Sequence, residues 1–168
     1  MKSLISSLCL CLLISPLMAQ VEVESVKING HIPIFTSLEK IRGVLEIDSI
    51  TTIPDIMDMS EADSLVYIGK SYFECYLPAN RCEISVLIFD TQITSLRIAS
   101  VELTRGMPIE KVQQLLPQEC SELRPIKIYG EEEAYEFCTI PLVLHDGSLF
   151  DQSLLLFFQN RKLTRIDF

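Results

Sequence analysis

The amino-acid sequence predicts an α+β fold: two similar helix-plus-antiparallel-meander units in tandem. Three observations predict it. Two stretches of chain carry the same four blocks in the same order. Each copy contains a short amphipathic helix. Each helix is followed by apolar–polar segments separated by turn residues.

The blocks align as follows. Val26-Lys27-Ile28, with Ile32-Pro33-Ile34 after it, matches Val101-Glu102-Leu103, with Met107-Pro108-Ile109 after it. Leu38 to Leu45 aligns with Ile109 to Leu116, apolar position on apolar position, with both Glu-Lys pairs coinciding. Ser71-Tyr72-Phe73-Glu74-Cys75 matches Ala134-Tyr135-Glu136-Phe137-Cys138. Leu87-Ile88-Phe89, then Arg97-Ile98, matches Leu155-Leu156-Phe157, then Arg165-Ile166. A period of about 70 residues is longer than a solenoid repeat and implies two domain-sized copies. The chain then divides into residues 1–19, a first unit over 20–100 and a second over 101–168.

Residues 1–19 read as a secretory signal. Lys2 is the only charge before Glu22, Leu4 to Leu17 is an apolar run, and Ala19 is a small residue at the expected cut. The run is shorter than the roughly 20 apolar residues of a membrane span. Cleavage would leave about 150 residues, enough for one ordinary domain or two small ones.

In the first unit, Thr36 and Glu39 have capping-box spacing. Leu38, Ile41, Val44 and Leu45 follow on one helical face. Strands are predicted at 65–68, 71–77, 83–89 and 93–99, with turns at Pro78-Ala79-Asn80 and Asp90-Thr91-Gln92. The acidic stretch from Asp48 to Asp63 reads as irregular. In the second unit, Pro108 suits a first helical turn, Ile109, Val112, Leu115 and Leu116 form the stripe, and Pro117 ends it. Strands are predicted at 126–129, 133–144, 153–158 and 163–168, with turns at Asp146-Gly147 and Gln159-Asn160-Arg161.

The full chain holds 14 Lys+Arg against 23 Asp+Glu, a formal net charge of −9. Loss of Lys2 makes the imbalance larger. Nucleic-acid affinity rests on cationic side chains meeting phosphates, so this balance speaks against nucleic acid. It also speaks against anionic lipid surfaces.

Of six cysteines, Cys9 and Cys11 fall inside the signal. Both follow a Leu within the apolar run, a context unlike a lipidation site. Cys75, Cys82, Cys120 and Cys138 remain, an even number in an exported chain. Cys75 and Cys82 flank a turn between consecutive strands, and neighbouring antiparallel strands supply disulfide geometry. The expected pairs are Cys75–Cys82 and Cys120–Cys138; the rival is Cys75–Cys138.

No hydrolase, phosphate-loop, metalloprotease or dinucleotide motif occurs. His31 and His145 both fall in turns and read as surface residues. Asp55, Asp58, Glu61 and Asp63 carry calcium-type oxygen donors, but their spacing fits no EF loop. Glu131-Glu132-Glu133 reads as a solvated turn. No catalytic, cofactor-binding or metal residue is assigned, and no cofactor is expected. Tyr67, Tyr72, Tyr129 and Tyr135 are the candidate partner-contact aromatics, because tyrosine favours binding hot spots. Packing against the helices is the expectation for most of them.

Arg105-Gly106-Met107-Pro108-Ile109-Glu110-Lys111-Val112-Gln113-Gln114-Leu115-Leu116 resembles the Gly-Met-x-x-x-x-Val-x-x-Leu-Leu helix start of the small-protein-A/outer-membrane-lipoprotein-A family. Leu154 to Ile166 resembles that family's final hairpin. The secreted β-lactamase inhibitor proteins share this unit and carry it twice, a plan similar to the duplication here. The resemblance covers about residues 101–168, and more faintly 26–99. It implies a noncatalytic module that binds protein or stabilises an envelope complex. The sequence therefore leads to an exported, periplasmic or secreted binding module with a protein partner. The alternatives are a structural envelope factor without a tight soluble partner and a carboxylate-dependent hydrolase.

Overall fold

The computed structural model describes residues 21–53, 61–130 and 134–168. Residues 1–19, read as a signal from the sequence, Asp55, Asp58 and the three glutamates at 131–133 lie outside these residues. The described chain is β-rich. Its strands are β1 Val21–Glu22, β2 Val26–Ile28, β3 Ile32–Pro33, β4 Phe35–Thr36, β5 Ser49–Thr52, β6 Ser64–Ile68, β7 Ser71–Tyr76, β8 Arg81–Ile88, β9 Ser95–Ile98, β10 Val101–Thr104, β11 Arg124–Lys127, β12 Ala134–Val143, β13 Leu149–Gln159 and β14 Lys162–Asp167. The α-helices among the described residues are α1 Leu38–Arg42 and α2 Ile109–Leu115.

This overturns the α+β class expected of two helix-plus-meander units. The helices span only five and seven residues, too short to form a layer and dependent on tertiary packing. The meanders do not stay within separate units. A single ten-stranded sheet runs β5-β6-β7-β8-β14-β13-β12-β1, with β11 also on β12 and β4 also on β8. The seam is antiparallel pairing of β8 with β14, Leu87 opposite Ile166. Across it the order is mirrored, β7 and β6 on one side, β13 and β12 on the other.

A second, four-stranded sheet runs β10-β9-β2-β3; β9 falls within the strand predicted at 93–99, whereas β2, β3 and β10 are only two to four residues long and are not legible in the sequence. β9 lies between β2 and β10. Ile98 faces both Val26 and Val101, Arg97 faces both Lys27 and Glu102, and Leu96 faces both Ile28 and Leu103. The β2–β3 turn is Asn29-Gly30-His31, and its first two residues lie at positive φ, a conformation that Asn and Gly adopt readily in hairpin turns. Asn29 anchors it: its Oδ1 accepts the Thr94 and Ser95 N–H groups at 2.9 and 3.2 Å, and its Nδ2 donates to the Gln92 carbonyl at 2.7 Å.

The core lies between the small sheet, the helices and one face of the large sheet. Val26, Ile28, Leu96 and Leu103 from the small sheet share one buried cluster with Ile41, Ile109 and Val112 from the helices. Ile68, Phe73, Ile84, Leu87, Leu156, Phe158 and Ile166 supply the large sheet's side. The α1 cap differs from the expected box. Ser37 Oγ accepts the Lys40 N–H at 3.2 Å, while Thr36 lies in β4 opposite Cys82. Asn80 in the β7–β8 turn, at φ 50°, receives the Leu38 N–H on its Oδ1 at 3.0 Å. Gly43 caps the helix, so Val44 leaves the stripe and is 48 % exposed. α2 keeps its stripe, and Arg161 of the β13–β14 turn bonds Glu110 on it, Nη2 to Oε1 at 2.5 Å.

Cys75 is bonded to Cys82 and Cys120 to Cys138, the pairs expected from the sequence. Cys75 and Cys82 are cross-strand partners on β7 and β8. All four are buried. Among the described residues, no helix is long and apolar enough to cross a membrane.

Candidate open sheet face

The large sheet has a second face, turned away from the core, and apolar and aromatic side chains gather at its middle. Residues opposed across an antiparallel ladder point to the same side, so the register identifies its members. One row runs Tyr67–Tyr72–Val86–Asp167–Leu155–Thr139 across six strands. A second runs Ile88–Arg165–Phe157–Phe137–Arg124. Val86, Phe157 and Tyr135 are buried, yet none belongs to the core cluster. Tyr67, Tyr72, Ile88, Phe137 and Leu155 are half-buried.

The packing on this face is specific. Phe157 stacks on Phe137, centroids 5.9 Å apart, and meets Tyr135 edge-on at 6.0 Å. The Arg165 guanidinium lies 5.7 Å from the Phe157 ring centroid, a cation–π distance. Arg165 also forks onto Asp167, Nε to Oδ1 at 2.5 Å and Nη2 to Oδ2 at 2.7 Å. The centre of the face is therefore aromatic, with Arg165 and Asp167 neutralising each other. Tyr67 and Tyr72 form a tilted pair at 5.7 Å.

At one end the face falls into an open depression of about 430 Å³. It forms because β14 covers β8 only from Val86 to Ile88, while the two-residue β4 takes over beside Cys82 and Glu83. Glu74, Tyr76, Arg81 and Glu83 line it from β7 and β8, and Asp151 and Gln152 from β13. Glu74 and Glu83 are direct cross-strand partners. Burial pushes the Glu83 carboxyl up; a Gln152 hydrogen bond opposes this, the Glu74 and Asp151 charges add to it, and Arg81 opposes it. Arg81 itself is ion-paired with Glu61. The Gln152 Oε1 is buried and has no hydrogen-bond partner.

The residues singled out from sequence are distributed unevenly. Tyr67 and Tyr72 meet on the open face. Tyr135 is buried there against Phe157, and Tyr129 is fully exposed in the turn after β11. None of the four joins the core with the helices, contrary to expectation, because each paired tyrosine sits on the opposite strand phase from the core residues. His31 and His145 occupy exposed turns. Glu61 and Asp63 serve structure: Asp63 Oδ1 accepts the Leu77 N–H at 3.3 Å. Among the described residues, no group of three or more metal-ligating side chains is assembled. Among the described residues, no histidine, serine or free thiol lines the depression.

Sequence reading missed Val86, Leu155, Phe157, Arg165 and Asp167 as face residues. Leu154 to Phe158 reads as an unbroken apolar run, and only the register shows that alternate members face opposite sides. Comparison with family profiles, curated proteins and solved structures gives no match.

Proposed function

We propose that this chain is an exported, noncatalytic binding module that holds a protein partner on the open face of its large sheet. One observation carries the reading: a patch of apolar and aromatic side chains, separate from the core cluster, occupies the middle of the face the core does not use. A solvated sheet face ordinarily carries polar residues. Contiguous apolar surface of this kind marks interaction sites, and aromatic residues and arginine are the groups enriched there. The formed disulfides agree with an oxidising compartment, periplasmic or extracellular.

The test is a pull-down from the native envelope or medium fraction with the disulfide-intact protein. A stoichiometric partner is expected, lost on Leu155→Asp and kept on Tyr129→Asp. Retention of the same partner by Leu155→Asp would overturn the reading.

A further inference from the structure

The two ends of the open face differ in charge, and that difference specifies the partner. In the aromatic centre, Arg165 is neutralised by Asp167. Four carboxylates, Glu61, Glu74, Glu83 and Asp151, line the depression with one guanidinium, Arg81, which is ion-paired with Glu61. Like charges directly opposed across a ladder are unfavourable, and Glu74 and Glu83 are so opposed. The Gln152 Oε1 adds a buried acceptor without a donor. Carboxylates accept hydrogen bonds and donate none when ionised, so this lining calls for donors. A Lys ammonium or Arg guanidinium brings three or five, with the positive charge the carboxylates lack. Tyr76, 40 % exposed, adds a ring at the rim.

Resting on the binding reading above, we propose that the partner is a protein segment whose Lys or Arg side chain enters the depression beside Glu74, Glu83 and Asp151. Its neighbouring apolar residues lie on Tyr72 and Leu155. Charge complementarity selects this occupant over a second copy of the chain, which carries the same net charge of −9. Complementary fields of this kind set specificity and association rate.

The test uses a random peptide library displayed on phage and selected against the full, disulfide-intact protein. Enriched peptides are expected to place Lys or Arg within two or three positions of an aromatic or aliphatic residue. Their affinity should fall roughly tenfold or more on Glu74→Gln/Glu83→Gln and weaken as salt is added. These isosteric changes relieve repulsion, and near-ultraviolet circular dichroism verifies that the variant is folded. Peptides sensitive to Leu155→Ser but indifferent to the glutamine pair would overturn the cationic contact while leaving the face as the binding surface. Selected peptides without basic enrichment would overturn it too. Peptides indifferent to both variants would overturn the binding reading itself.

Discussion

Ser71 and Ile88 close a gap in the sheet with a single hydroxyl. Ser71 Oγ donates to the Ile88 carbonyl at 3.0 Å and accepts the Ile88 N–H at 2.8 Å. The ladder between β7 and β8 shifts register at Tyr72/Phe73, and Ile88, paired with Arg165 on its β14 side, has no ladder partner on β7. A bulge of this kind strands backbone groups, and the buried serine satisfies both.

Ser71→Ala is expected to destabilise the protein by about 1–3 kcal/mol, the cost of orphaned buried groups. Urea denaturation should show a lower midpoint with an unchanged m-value. An unchanged midpoint would mean that water takes over the hydroxyl's role.

Arg165 and Asp167 are only 19 % and 18 % exposed. Asp167→Asn removes the carboxylate charge from a partly desolvated guanidinium, and should cost about 1–3 kcal/mol, less than for a fully buried pair. Arg165→Met combined with Asp167→Leu should recover most of it, since apolar replacement of a desolvated pair is often neutral. A double-mutant cycle measures this. Additive losses would contradict it.

Glu83 gives a pH dependence of definite sign. Its carboxyl is raised in the folded state, so the folded protein binds its proton more tightly than the unfolded chain. Stability from this group is then lost as pH rises through the folded value and regained as pH falls. Glu83→Gln should raise the urea midpoint at neutral pH, with the gain shrinking on acidification. A gain independent of pH would show that repulsion at Glu83 is not its source.

The disulfides close loops of unequal length, with separations of 7 and 18 residues. Chain entropy predicts contributions of about 2.5 and about 3 kcal/mol respectively. Replacing both cysteines of each pair by Ser should therefore cost more at Cys120–Cys138. The reverse order would show that local packing around the β7–β8 ladder outweighs loop closure.

The sequence displayed the strands of the large sheet well, because Ser64 to Ile68, Ser71 to Tyr76 and Lys162 to Asp167 alternate plainly and are bounded by turns. The disulfide partners were also legible, since Cys75 and Cys82 flank the Pro78-Ala79-Asn80 turn. The fold class was not. A stripe such as Leu38, Ile41, Val44, Leu45 fits a helix, but Gly43 ends it after one turn. Pairing between distant segments, Arg97 with both Lys27 and Glu102, leaves no periodic trace in any single stretch. The open face was hidden for the same reason: Phe157 and Phe158 are adjacent and equally apolar, yet one belongs to the core cluster and the other does not.

The placing of β9 between β2 and β10, and of β8 beside β14, bears on how the chain becomes a fold. Each sheet is completed only by segments far apart in sequence, a topology of high contact order that folds slowly. Neither half can satisfy its own edges: β8 needs β14, and β1 needs β12. Yet Ala99 and Ser100, which join β9 to β10, are exposed in a turn. A chain divided there should behave as two mutually dependent fragments. Each alone would be unfolded, and the two mixed would reassemble through the seam into one particle.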